Sequence, residues 1–256
     1  MKVVILCGGQ GTRLREETEF RPKPLVEIGD RPIVWHIMKM YSQAGFNDFV
    51  LCLGYKGHMI RDYFANYDLH TRDVTLDLGT GGVEFKSSRT EPWRVTLVDT
   101  GLDSMTGGRL VRAAHHLGDD DAFMVTYGDG VADVNVAEVL KFHREHGRLA
   151  TVTAVRPPPR FGEIVEQNGT VLEFAEKPQS SSGWINGGFF VFQREVLKYI
   201  DGPHVPLESA PLERLAADRQ LMTYRHDGYW RCIDTMRDLE ALRSEWTSGA
   251  ASWRTW

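Results

Sequence analysis

Short apolar runs alternate with stretches in which apolar side chains return every three or four positions, and this alternation sets the expected fold. Val3-Val4-Ile5-Leu6 is continuously apolar, which predicts a strand buried on both faces, and it runs straight into a glycine-rich loop. Across residues 33–44, Val34, Ile37, Met38 and Tyr41 share one helical face, with Gly45 where a helix would end. Residues 49–53 predict a second strand, and Ile60, Tyr63, Phe64 and Tyr67 return to helical spacing. Leu110, Ala113, Ala114 and Leu117 predict a helix, 122–126 a strand, Val136, Val139, Leu140 and His143 a helix, and 150–155 a strand. Strands alternating with helices argue for a parallel or mixed sheet covered on both faces.

The pattern changes twice. Residues 74–85 alternate apolar and polar positions around Gly79-Thr80-Gly81-Gly82, which predicts a β-hairpin projecting from the body. The stretch after Pro157-Pro158-Pro159 predicts another, with Asn168-Gly169 at its turn. A strand at 188–192 and helices near 212–221 and 239–246 complete the expectation. No internal repeat or separating linker is visible, so residues 1–256 are expected to form a single domain. The expected class is a three-layer, Rossmann-like α/β fold with a mixed central sheet and projecting β-hairpins. The Ser-rich stretch 179–183 reads either as a surface loop or as a lid over a site.

Composition narrows the function. With a formal net charge of -5, the chain has no general basic field to recruit nucleic acid or an anionic membrane, and neither partner is expected. A polyanionic substrate must then be held by a few placed cations and backbone amides. Cys7, Cys52 and Cys232 are odd in number and far apart, which fits neither a disulfide framework nor a zinc site and favours a reducing cytoplasm. The apolar run at residues 3–6 is too short for a signal peptide or a membrane span, so a cytoplasmic location is expected.

The candidate chemistry begins in Gly8-Gly9-Gln10-Gly11-Thr12-Arg13-Leu14. A strand feeding such a loop lets backbone N–H groups approach phosphate oxygens unobstructed. The third glycine of a dinucleotide fingerprint is missing, which disfavours a dehydrogenase, and no Gly-Lys-Ser/Thr makes it a P-loop. Arg13 suits bidentate contact with phosphate, and Arg21-Pro22-Lys23-Pro24 holds a lysine between prolines in an extended, preset backbone. The plainer reading is a tight turn with surface charges. Asp129, in Tyr127-Gly128-Asp129-Gly130, follows an apolar strand, where ligands bind in open α/β sheets and where a carboxylate could hold Mg²⁺. Asp234 ends another apolar run; by residue type alone it reads first as a helix N-cap. Asp119-Asp120-Asp121 reads as a solvated turn. Glu176-Lys177 reads as an ion pair or as a pair serving a phosphate and a sugar hydroxyl. The aromatics at 189–192 read as core.

Gly8-Gly9-x-Gly11-Thr12-Arg13-Leu14 followed by Pro22-Lys23-Pro24 resembles the signature of the nucleotide-sugar pyrophosphorylases. Lys39-Met40-Tyr41, Gly54-Tyr55-Lys56-Gly57, Tyr63-Phe64-Ala65-Asn66-Tyr67, Glu91-Pro92-Trp93 and the segments 97–101, 105–110 and 127–132 resemble the members that use CTP and glucose 1-phosphate, and the likeness runs to Trp256. Cys7 stands where alanine is common. The resemblance implies catalytic roles for Arg13 and Lys23. It places the nucleotide against Leu6, Cys7, Gly8, Gly9, Gln10, Gly11, Thr12, Ser104, Arg109 and Gly128, with Arg109 a phosphate contact unless it is merely a solvated side chain at a helix start. It implies Mg²⁺ on Asp129 and Asp234, and the sugar phosphate on Glu176, Lys177, Asn186 and Gly187. Residues 1–135 would mainly serve the nucleotide and 136–256 the sugar phosphate. The implied product is CDP-glucose, for surface-polysaccharide synthesis, and the implied assembly is a homo-oligomer. The rival readings are the same chemistry with another base or sugar, and a catalytically silent nucleotide-sugar sensor.

Overall fold

The computed structural model describes residues 1–86, 91–157, 163–167, 170–175 and 183–256, with 163–167 and 173–175 described by backbone alone. The strands of the main sheet and of the two-stranded sheet beside it are β1 (Val3–Cys7), β2 (Asp48–Leu53), β3 (Arg94–Asp99), β4 (Ala122–Tyr127), β5 (Gly130–Ala132), β6 (Ala150–Val155), β7 (Ile185–Asn186), β8 (Phe190–Gln193), β9 (Leu221–His226) and β10 (Trp230–Cys232). The longer helices are α1 (Ile33–Gln43), α2 (Gly57–Ala65), α3 (Thr106–Ala113), α4 (Val136–His146), α5 (Ala210–Ala217) and α6 (Met236–Ser248). Among the described residues, none of the helices is long and apolar enough to cross a membrane.

The first apolar run lies inside the main sheet. All of β1 is buried, and it pairs in parallel with β2 on one edge and β4 on the other; β2 in turn pairs in parallel with β3. Beyond β4 the direction reverses: β8 runs antiparallel to β4 and to β6, while β9 pairs in parallel along the far edge of β6. The sheet is therefore mixed. Because side chains alternate across a strand, β1 feeds two cores. Val3 and Ile5 pack with Ile37 and Tyr41 of α1, Val139 of α4 and Leu242 of α6, whereas Val4 and Leu6 pack with Leu110 of α3 and Leu215 of α5. Helices cover both faces, as the alternating pattern predicts.

Three departures have local causes. The strand expected at 188–192 starts at Phe190, because Gly188 (φ 79°) and Phe189 (φ 48°) take left-handed backbone and separate it from β7. The helix expected over 212–221 stops at Ala217: Arg219 (φ 55°) turns the chain, and residues 221–226 become β9. The aromatic run itself is core, with Phe189, Phe190 and Phe192 buried. The third departure is α3, which begins at Thr106, ahead of the expected apolar stripe, and includes Gly107 and Gly108.

A close approach explains those glycines. A Cβ on Gly108 would lie 1.9 Å from the carbonyl oxygen of Pro203, and one on Gly107 2.7 Å from that of Val205. The segment 203–207 is laid directly on the helix backbone. Alanine in place of Gly108 gains about 1 kcal/mol of helix propensity, but overpacking against fixed backbone costs about 1–3 kcal/mol. The clash wins, so Gly108→Ala is expected to lower the thermal midpoint; an unchanged or higher midpoint by calorimetry would contradict this packing.

Both hairpins form. Val74–Asp77 pairs antiparallel with Gly82–Phe85, and Glu163–Gln167 with Thr170–Ala175, the Asn168-Gly169 turn lying outside the described residues.

Candidate active site

The site is built where β1, β4 and β10 end. After β1 the chain turns through Gly11, whose φ of 63° lies in the left-handed region and whose Cβ, if present, would meet Thr18 Cγ2 at 2.7 Å. Thr18 holds the loop from behind, its hydroxyl reaching the carbonyl oxygens of Gly11 (3.0 Å) and Leu14 (2.8 Å). Arg13 sits on the 3₁₀ turn Thr12–Leu14 with its side chain 74% exposed, and Nη1 donates to Asp234 Oδ2 at 2.9 Å. Pro22 is extended (φ -68°, ψ 148°), but Lys23 opens a second 3₁₀ turn, Lys23–Leu25, where an extended lysine was expected. That turn is closed by Leu25 N–H donating to Pro22 O at 2.8 Å.

Lys23 is the centre of the arrangement. Its Nζ donates to Asp129 Oδ2 at 2.7 Å and to Asp234 Oδ1 at 3.2 Å. Burial works to lower the pKa of its ammonium, but the charges and hydrogen bonds of the two aspartates outweigh burial and raise it above the ordinary lysine value. The cation is thus permanent at neutral pH.

Asp129 and Asp234, distant in sequence, are brought together by the antiparallel pairing of β5 with β10, in which Gly130 faces Cys232, and by Ile233 N–H donating to Asp129 O at 2.9 Å. Asp234 is not the helix N-cap. Thr235 caps α6 in a capping box with Asp238, and the backbone N–H of Asp234 is itself received by Asp238 Oδ2 at 3.2 Å. The Asp234 carboxylate is therefore left for the site. The far end of α6 is tied to α1 through the tail: Trp253 Nε1 donates to His36 Nδ1 at 3.4 Å, and His36 Nε2 donates to Ile28 O at 3.0 Å. Burial keeps His36 neutral, its pKa lowered to about 4.

The two carboxylates fit Mg²⁺. They are hard oxygen donors brought to one ammonium, Lys23 Nζ, and their side chains remain 29% and 17% exposed, so a cation beside them could complete its shell with water and phosphate oxygens. Among the described residues no third acidic, histidine or cysteine side chain gathers with them into a larger metal-binding group.

Two cavities meet here. The first, about 310 Å³, is lined by Leu6, Cys7, Gly8, Gly9, Gly11, Thr12, Arg13, Lys23, Ser104, Arg109 and Gly128 among others. The second, about 320 Å³, is lined by Asn186, Gly187, Trp230 and Asp234, and shares Arg13, Tyr127 and Asp129 with the first. Gln10, expected with the loop, is exposed and lines neither cavity. Glu176 and Lys177 lie outside the described residues, as do residues 179–182 of the Ser-rich stretch.

Arg109 is not a solvated side chain at the helix start. It is 4% exposed, and its guanidinium is spent within the protein: Nη1 donates to Leu53 O, Thr100 Oγ1 and Gly101 O, and Nη2 to Gly8 O and Leu102 O. It braces the carbonyl side of the glycine loop and lines the first cavity. Ser104 is also buried, its hydroxyl donating to Thr100 O at 2.5 Å. The thiol of Cys7 is buried beside Gly128, and that burial holds its pKa well above the usual range, so it contributes shape to the cavity and no charge. The three cysteines are free.

Sequence reasoning missed Glu208 and Trp230, whereas Thr106 lines the first cavity with Ser104 and Arg109. Glu208, between α3 and the sheet, accepts from Tyr127 Oη and from Thr106 Oγ1, each at 2.6 Å. Nothing in its local sequence, Pro206-Leu207-Glu208-Ser209, marks it.

A family model described as Nucleotidyl transferase matches residues 2–248. The chain is 52% identical over 256 residues, covering 100% of both chains, to the glucose-1-phosphate cytidylyltransferase of Salmonella typhi. It is 32% identical over 243 residues to the mannose-1-phosphate guanylyltransferase catalytic subunit beta of Dictyostelium discoideum, covering 93% of this chain and 62% of that one. The solved structure of HddC from Yersinia pseudotuberculosis matches with a TM-score of 0.70 at 20% identity, over 96% of this chain and 99% of that one, a likeness of fold. A glycine-rich loop, two cations and two carboxylates gathered at the carboxyl ends of neighbouring strands suit transfer between phosphates, and with the family model spanning nearly its whole length, the chain belongs to the nucleotidyl transferase family.

Proposed function

We propose that the chain joins CTP to glucose 1-phosphate, forming CDP-glucose and pyrophosphate. The observation that carries the chemistry is the convergence of Lys23 on Asp129 and Asp234, with Arg13 beside them, at the mouth shared by two cavities. The full-length likeness to the Salmonella enzyme supports the two substrates.

CTP occupies the cavity beneath the glycine loop, and glucose 1-phosphate the one at Asn186 and Gly187. Residues 1–135 thus mainly serve the nucleotide and 136–256 the sugar phosphate, with Glu176 and Lys177 on the sugar side. A phosphate oxygen of glucose 1-phosphate attacks the α-phosphorus of CTP in line; the bond from that phosphorus to the bridging oxygen breaks, and pyrophosphate leaves. Lys23 neutralises the α-phosphate and Arg13 the leaving phosphates, acting on charge as it develops. Lys177 orients the incoming phosphate. No general base is needed, because the attacking phosphate is already anionic at neutral pH. Asp129 and Asp234 would hold Mg²⁺, which when bound neutralises phosphate charge. The reading is tested by chromatography of the product from CTP and labelled glucose 1-phosphate. A labelled CDP-sugar is expected; recovery of unchanged sugar phosphate would contradict the reading.

The assembly belongs to the same proposal. The projecting hairpin leaves Leu76, Leu78 and Val83 exposed, and a two-stranded ribbon is marginal alone. Pairing with another copy would cover it. Light scattering is expected to report a multiple of the 29.1 kDa chain, and a monomeric mass would remove this part of the proposal.

A further inference from the structure

Glu208 and Tyr127 have no part in the chemistry above, yet they form a directed chain of hydrogen bonds that ends at Asn186. Tyr127 Oη donates to Glu208 Oε1 at 2.6 Å, and Asn186 Nδ2 donates to Tyr127 Oη at 3.1 Å. The other end of the Asn186 amide is fixed as well, because Gly188 N–H donates to its Oδ1 at 2.9 Å. We propose that Glu208 is a positioning residue: through Tyr127 it sets the direction in which Asn186 offers its amide to the sugar phosphate. This rests on the reading that the cavity at Asn186 takes that substrate.

The direction follows from donor chemistry. An ionised carboxylate only accepts, so Tyr127 must donate to Glu208, and a lone pair of its oxygen is left to accept. Asn186 must then present Nδ2 to the tyrosine and Oδ1 to Gly188, and one N–H of Nδ2 remains for a ligand oxygen. A neutral amide at position 208 imposes no direction, since it can donate as well as accept. Tyr127 could then turn its hydrogen toward Asn186 Nδ2, two donors would face each other, and the bond from Gly188 N–H alone would hold the amide in place. The bond to a carboxylate is also the stronger one, because it is charge-assisted.

The effect should fall on one substrate. Glu208 also receives Thr106 Oγ1, on the nucleotide side, at 2.6 Å. That side is held independently by backbone: Met105 N–H donates to Pro203 O at 2.9 Å and Gly108 N–H to Val205 O at 3.2 Å. Loss of the carboxylate therefore loosens one end of the Asn186 amide without releasing the start of α3.

The test is the Michaelis constant of each substrate for Glu208→Gln, Tyr127→Phe and the double variant, with folding checked by near-UV circular dichroism. Glu208→Gln is expected to raise KM for glucose 1-phosphate about tenfold, on the scale of one hydrogen bond to a charged group, with KM for CTP changed less than about twofold. Tyr127→Phe keeps the ring and its packing, and should do the same even where Glu208→Gln does not fold. The double variant should be no worse than Tyr127→Phe, because both act through one chain. Unchanged constants for both substrates, or additive losses in the double variant, overturn the positioning role. A rise confined to CTP overturns the placement of the sugar phosphate itself, and with it the proposal.

Discussion

Lys23→Ala is expected to lower kcat/KM by about 10²-fold or more, the scale for removing a preorganised charge stabiliser. The side chain is only 14% exposed and its ammonium lies between two carboxylates, so alanine leaves Asp129 and Asp234 without the cation that joins them, while Arg13 stays paired with Asp234 alone of the two. The substitution also removes the charge assigned to the α-phosphate, where negative charge gathers as the new bond forms. The two effects act in the same direction. Arginine should not restore activity, because the compact ammonium fits between two carboxylates in a way that a planar fork does not. Pyrophosphate release by folded Lys23→Ala is the measurement, and turnover near the original would remove Lys23 from the mechanism.

Asp129→Asn is expected to cost turnover on a similar scale, about 10²-fold, and also to raise the Mg²⁺ concentration needed for half-maximal rate. Asparagine is close in size, and the Asp129 carbonyl that receives Ile233 N–H is backbone, so the pairing of β5 with β10 should survive. What is lost is charge: one of two carboxylates, and the nearer partner of Lys23 at 2.7 Å. A metal site of two carboxylates completed by water and phosphate cannot lose one cheaply. An unshifted Mg²⁺ dependence would show that Asp129 does not hold the metal.

How far the site was legible in the sequence depended on how local each feature is. The buried strand, the glycine loop and Lys23 between prolines are written in short runs, and the structure brings Arg13 and Lys23 together as those runs suggest. Asp234 was not legible by itself. Its residue type points to a cap, and only Thr235 taking that task and the pairing of β5 with β10 bring its carboxylate to Asp129. The burial of Arg109 was not legible, because a charged residue near a helix start is usually exposed, whereas here five protein oxygens receive it. Glu208 gave no signal, since its function depends on Tyr127 and Thr106, far away in the chain. The strand at 221–226 was hidden by apolar residues at helical spacing, and only the left-handed turn at Arg219 ends the helix before it.

The central claim is that this site transfers a cytidylyl group to glucose 1-phosphate. Its most direct test is pyrophosphate release with glucose 1-phosphate and Mg²⁺, comparing CTP, UTP, dTTP and GTP in turn. Release with CTP is expected well above that with the other three. Faster release with another triphosphate would overturn the base while leaving the chemistry, and no release with any of them would contradict the account.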